Sequence, residues 1–115
     1  MDPITALIVQ KNLDGLAMRQ LATADNIANS NAPGFRPSRV TFERALRSAA
    51  SQGSAALRQV QPRFEQVPLS GAFGGGARLD QELATAAETS LRYAALVNLL
   101  GRQLQLSHLV VRGGQ

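Results

Sequence analysis

The 115-residue sequence contains no cysteine, no tryptophan and a single histidine. Without cysteine, disulfides and thiolate metal sites are excluded, and the redox compartment is left open. Four phenylalanines and one tyrosine give little material for aromatic cross-strand pairs. The abundance of Ala and Leu favours helices packed through aliphatic seams. No apolar run reaches the roughly 20 residues that span a bilayer, so no direct membrane insertion is expected. The opening Met1-Asp2-Pro3-Ile4 lacks the basic and apolar segments of a cleaved secretory leader. If the chain leaves the cytoplasm, the expected route is one that does not read such a leader.

Catalytic chemistry is also missing. The eight carboxylates are scattered, and no spacing sets two of them beside His108 on one helical face. His108, near the end of an apolar helix, reads as a packing or capping residue. Gly74-Gly75-Gly76 lacks the Lys-Ser/Thr that follows in a phosphate-binding loop, and no strand precedes it. No nucleophile–base pattern, metal spacing or cofactor loop is present, so the expectation is a non-enzyme with no catalytic residue, metal or cofactor.

What is present is basic, helical and interrupted once. The net charge of +4 is concentrated in the middle: Arg36, Arg39, Arg44, Arg47, Arg58, Arg63 and Arg78 face only Glu43 and Glu65 there. Such a segment suits a solvated, mobile stretch, or an anionic partner such as nucleic acid. Against nucleic acid, the arginines are not interleaved with aromatics for base stacking, and no recognition helix is evident.

Asp2 is suited to cap a helix with Pro3 at its first position, where the missing N–H costs nothing. From there to about Asn29 nothing interrupts the helix but Gly15, at about 1 kcal/mol relative to Ala. About 26 residues at 1.5 Å each make a rod of about 40 Å, too long for a compact domain of this size. Leu13, Leu16, Ala17, Leu21, Ala24, Ile27 and Ala28 share one broad face at helical spacing. Ile4, Leu7 and Ile8 fall nearly opposite, where a single folded-back helix cannot also cover them. The first turns either fray or kink at Gly15, or meet a second molecule.

The helix then meets a turn. Asn29 or Asn31 can end it in the left-handed conformation. Ala32 is pushed extended by the following proline. Pro33 and Gly34 suit the two central positions of a type II turn, Gly34 with positive φ. Beyond it, Pro37 forbids a regular helix and Val40-Thr41-Phe42 reads as extended, with Phe42 and Leu46 available to pin the segment to the helix. Residues 48–78 are rich in Ser, Gln, Gly and Ala and read as flexible, ending in a Gly-rich linker. A second long helix is expected from a cap at Asp80 to about Val111, with Glu88 and Arg92 as an i,i+4 pair. Leu83, Ala86, Ala87, Ser90, Ala94, Val97 and Leu104 form one stripe with Gly101 on it. Leu96, Leu99, Leu100, Leu106 and Val110 form a second. A helix apolar nearly all round needs cover on several sides, which other subunits would supply.

The run Asn26-Ile27-Ala28-Asn29-Ser30-Asn31-Ala32-Pro33-Gly34-Phe35 resembles the Asn-x-Ala-Asn-x-x-x-Pro-Gly-aromatic motif of bacterial flagellar rod and hook proteins. The motif residues are Asn26, Ala28, Asn29, Pro33, Gly34 and Phe35, with Phe35 where that family more often has Tyr. Val40 to Leu46 and the Leu91-Arg92-Tyr93-Ala94-Ala95-Leu96 helix are similar to the proximal-rod (FlgB-type) members. Together the similar parts cover about residues 4–46 and 79–106. The resemblance implies a subunit whose terminal helices pair as an antiparallel coiled coil and stack helically into the periplasmic rod of the basal body. It implies export, unfolded, through the flagellar type III apparatus, with other rod proteins and the export gate and ring components as partners.

The reading is therefore all-α: a hairpin of two long terminal helices, residues 1–31 and 79–115, joined by a turn and an extended or flexible middle, 32–78, as one domain. Leu16, Leu21, Ala24 and Ile27 are expected to pair within the chain with Leu83, Ala87, Ala94 and Val97. Ile4, Leu7, Ile8, Leu99, Leu100, Leu106 and Val110 are assigned to neighbouring copies in a helical homo-oligomer. The alternatives are a small nucleic-acid-binding protein using Arg36 to Arg63, and a coiled-coil adaptor unrelated to flagella.

Overall fold

A computed structural model describes the backbone of residues 1–67 and 75–113 and the side chains of 1–67 and 78–109. The elements run α1 (Pro3–Ala28), β1 (Ser38–Thr41), α2 (Glu43–Ala50), α3 (Ser54–Gln59), β2 (Arg63–Gln66) and α4 (Gly75–Gly113). The fold is mostly helical, elongated to 64 × 27 × 15 Å, with a small antiparallel sheet laid on its longest pair of helices.

α1 starts as its sequence dictates. The Thr5 N–H donates to Asp2 Oδ1 at 2.8 Å and the Thr5 hydroxyl to Asp2 Oδ2 at 2.7 Å, and Pro3 opens the first turn. The same Thr5 N–H holds the Asp2 carboxyl below the usual carboxylate range. α1 ends without a left-handed residue, contrary to the expectation for Asn29 or Asn31. Asn29 sits at φ −104° and folds its amide back to donate to the backbone and side-chain oxygens of Asp25 at 2.9 and 3.0 Å. The side-chain bonds do the closing, so the strain of a left-handed Asn is not needed.

The turn is type II as expected. Phe35 N–H donates to Ala32 O at 3.2 Å, around Pro33 and a Gly34 with φ 74°. β1 then pairs with β2 in the register Ser38↔Gln66, Arg39↔Glu65, Val40↔Phe64 and Thr41↔Arg63.

Two expectations about the middle are corrected. Residues 43–66 are not an open linker but two short helices and a strand. The segment is poor in apolar residues, yet Leu46 and Ala49, then Leu57 and Val60, fall in i,i+3 pairs, and all four are buried in one cluster with Leu16, Ala22, Val40 and Phe42. Composition hid a pattern that position reveals. α4 does not start at a cap on Asp80, which lies exposed within a helix already running from Gly75. Gly75 and Gly76, expected in a Gly-rich linker over 71–76, therefore belong to α4, whereas residues 71–74 of that linker lie outside the described residues.

Gly15 neither frays nor kinks α1. It is buried, and a Cβ built there would lie 2.4 Å from Phe42 Cδ1. Phe42, at the entry to α2, uses the missing side chain as the socket for its ring. A helix-weakening residue is thus the docking point of the middle segment.

α4 returns along α1 in the opposite direction. Arg78 donates to Ser30 O at 2.8 Å and Asn26 to Glu82 Oε2 at 3.1 Å near one end; the amino terminus donates to Gln103 Oε1 at 3.1 Å at the other. Past Gln103, α4 extends beyond the start of α1.

Candidate assembly surface and the brace beneath it

Polar residues of α1 hold the remaining elements to it. Asn26 is buried and reads the backbone of Ser38 in both directions. Its amide donates to Ser38 O at 2.8 Å, and Ser38 N–H donates back to its Oδ1 at 3.0 Å. With the further bond to Glu82, one side chain joins α1, β1 and α4. About two helical turns earlier, Arg19 grips Glu43 with two bonds of 2.8 and 2.6 Å and donates to Val40 O at 2.7 Å. Its guanidinium also lies 4.9 Å from the centre of the Phe42 ring. Arg92 of α4 adds a contact to the same carboxylate at 3.3 Å. Bonds from Arg19, outweighing the opposing effect of burial, depress Glu43 from the ordinary 4.5 to about 2. Lys11 caps the end of α3, donating to Arg58 O at 3.0 Å and Val60 O at 2.8 Å.

These bonds also seal one edge of the sheet. Ser38 and Val40 present their backbone carbonyls away from β2 and toward α1, where Asn26 takes both groups of Ser38 and Arg19 the Val40 carbonyl. An unpaired strand edge invites pairing with another chain; here side chains blunt it.

An open groove of about 580 Å³ lies between α1, β1 and α4, lined by Arg19, Thr23, Arg39, Glu43, Glu82 and Arg92. Its central charges, Arg19, Glu43 and Arg92, are already paired, and no nucleophile faces a base within it. No group of His, Asp and Glu able to hold a metal occurs among the described residues. The arginines proposed for nucleic acid are spread over the loop before β1 and over β1, α2, α3 and β2, and Arg36, Arg39, Arg44, Arg47, Arg58 and Arg63 are all exposed.

Exposed large apolar side chains lie along both long helices. Of the expected intrachain seam, Leu16 is fully buried and Ile27 half-buried. Leu21 is 70% exposed, and Ala24, Leu83, Ala87, Ala94 and Val97 are exposed with it. The seam is therefore corrected: α1 turns Leu16, Ala22, Thr23 and Asn26 inward, and α4 turns Thr85, Thr89, Tyr93 and Leu96. Asn26, Arg19 and the Gly15 socket require that face of α1 to meet β1 and Phe42, which rotates the alanine and leucine stripe outward. The neighbour-facing set also divides. Ile4, Leu99 and Leu106 are exposed. Leu7 and Ile8 instead pack on the core cluster, because α2 and α3, absent from the sequence reading, supply their cover. Leu100 is half-buried, and the Val110 side chain lies outside the described residues. Of the motif, Asn26 and Asn29 carry the bonds above, Pro33 and Gly34 make the turn, Phe35 is half-buried and Ala28 exposed. Arg19, Glu43 and Lys11 were not foreseen as a site; their partners are far along the chain and leave no local periodic signal.

No protein-family model matches this chain. The chain is similar to a protein named flagellar basal body rod protein FlgB from Borrelia hermsii, with 48% identity over 42 residues. That stretch spans 36% of this chain and 31% of the Borrelia protein.

Proposed function

We propose that the chain is a structural subunit of the bacterial flagellar basal body, assembling into the proximal rod. The observation that carries this reading is the 42-residue similarity to a basal-body rod protein. The Asn26–Phe35 motif and the exposed apolar faces of the two long helices support it. In this reading α1 and α4 act as an antiparallel coiled-coil unit. Repeated heterologous contacts build a helical rod that transmits torque, since contacts of that kind propagate rather than close. Ile4, Leu21, Leu99, Leu106 and Leu109, all exposed, meet neighbouring copies or other rod proteins. The subunit reaches the periplasm through the flagellar type III apparatus and serves there as a structural part.

The proposal is tested by mass spectrometry of basal bodies purified from the bacterium that encodes the chain. Its peptides should co-purify with the rod fraction and persist after washing. Their absence from basal bodies of swimming cells would contradict the reading.

A further inference from the structure

Along α4, Asp80, Leu83, Ala87, Ser90, Ala94, Val97, Gly101, Leu104 and His108 recur at alternating steps of three and four. This is the seam spacing of a coiled coil, and all nine residues are exposed in the folded chain. Leu83 is 49%, Val97 46% and Leu104 69% exposed, and Leu91 beside them 73%. α1 covers the opposite face of α4, so nothing among the described residues pairs with this seam.

We infer that its occupant is the same seam of a second copy, running antiparallel, in a closed dimer of the free protein. Self-complementarity carries the choice. Reversing one copy sets Leu104 against Ala87 and Val97 against Ala94, large on small, with Ser90 against Gly101. Each pairing occurs twice about the twofold axis. The same register brings His108 of one copy within a helical turn of Asp80 of the other, at both ends. In a parallel pair the two aspartates and the two histidines would face their own kind.

The end pairs make the dimer respond to pH. Histidine gains its charge between about pH 8 and 5, while aspartate stays ionised. On its own helix the nearest described charged side chain is Arg102, six residues earlier and off the face of His108. The start of α1, packed at that end, carries the amino terminus, bound to Gln103, and Asp2, whose carboxylate is taken by Thr5. Among the described residues, the second copy's Asp80 is thus the carboxylate offered to His108. Acidification raises the net positive charge, which by itself drives copies apart. Tighter association at low pH therefore reports the specific pairs. The contact is isologous and closes at two copies, so it is separate from rod growth and stands or falls independently of the rod assignment. If both occur, the dimer must open first.

Sedimentation velocity of the full chain at pH 5.5 and pH 8 tests this. A monomer–dimer equilibrium is expected, tighter at pH 5.5 by roughly three- to tenfold for two exposed ion pairs. Asp80→Asn and His108→Gln should each abolish the pH dependence while the dimer persists. A mixture of Ala87→Cys chains with Leu104→Cys chains should form a disulfide-linked heterodimer on oxidation, and neither variant alone should cross-link. A monomer at both pH values, a pH response unchanged by both substitutions, cross-linking of either variant with itself, or unlimited polymers would each overturn the proposal.

Discussion

At the scale of the residue, side chains that are poor helix formers earn their places through distant partners. Gly15 is the clearest case. Gly→Ala inside a helix normally gains about 1 kcal/mol, but here the new methyl would enter the Phe42 ring. Overpacking of this kind costs about 1–3 kcal/mol, so Gly15→Ala is expected to lower the melting temperature, and Phe42→Leu in the same chain to restore part of the loss. Asn26→Ala leaves the backbone N–H and C=O of Ser38 without their partner. An expected cost of about 1–3 kcal/mol is measurable by urea unfolding, with Asn26→Asp failing to rescue because it cannot donate. Glu43 supplies a pH signature. Its folded value lies near 2, below the ordinary 4.5. Its contribution is therefore fully present above pH 4.5 and is lost as pH falls through 2. Glu43→Gln should flatten that part of the stability–pH curve, which thermal melts between pH 2 and 6 would display.

At the scale of the element, the sequence was most legible where local rules suffice. Asp2 with Pro3 gave the start of α1, Pro33 with Gly34 the type II turn, and apolar spacing the existence of both long helices. It was least legible where a choice depends on contacts far along the chain. Helical spacing showed that α1 and α4 each carry apolar stripes on more than one face, but not which stripe turns inward. Bonds between Asn26 and Ser38 and between Arg19 and Glu43 decide that, and they span loops that no periodicity reports. The middle segment was misread because its few apolar residues are sparse in composition yet well placed. Leu57 is fully buried, so Leu57→Ala should cost about 2–5 kcal/mol. Hydrogen exchange should then show α2, α3 and β2 opening before α1.

At the scale of the molecule, an elongated body with a braced interior and apolar outer faces is suited to being one unit among many. Its internal core is small, and the exposed leucines lie along the long helices rather than around a pocket. Leu106→Asp places a charge on an exposed position, so folding measured by circular dichroism should be unchanged while assembly fails through burial of an unpaired charge. The central claim is that this chain builds the rod. Electron cryotomography of basal bodies in cells lacking it tests that claim most directly. Base rings without a rod, loss of swimming, and recovery of rod and swimming by the intact gene are expected. Complete rods and normal swimming in cells with no second copy would contradict it.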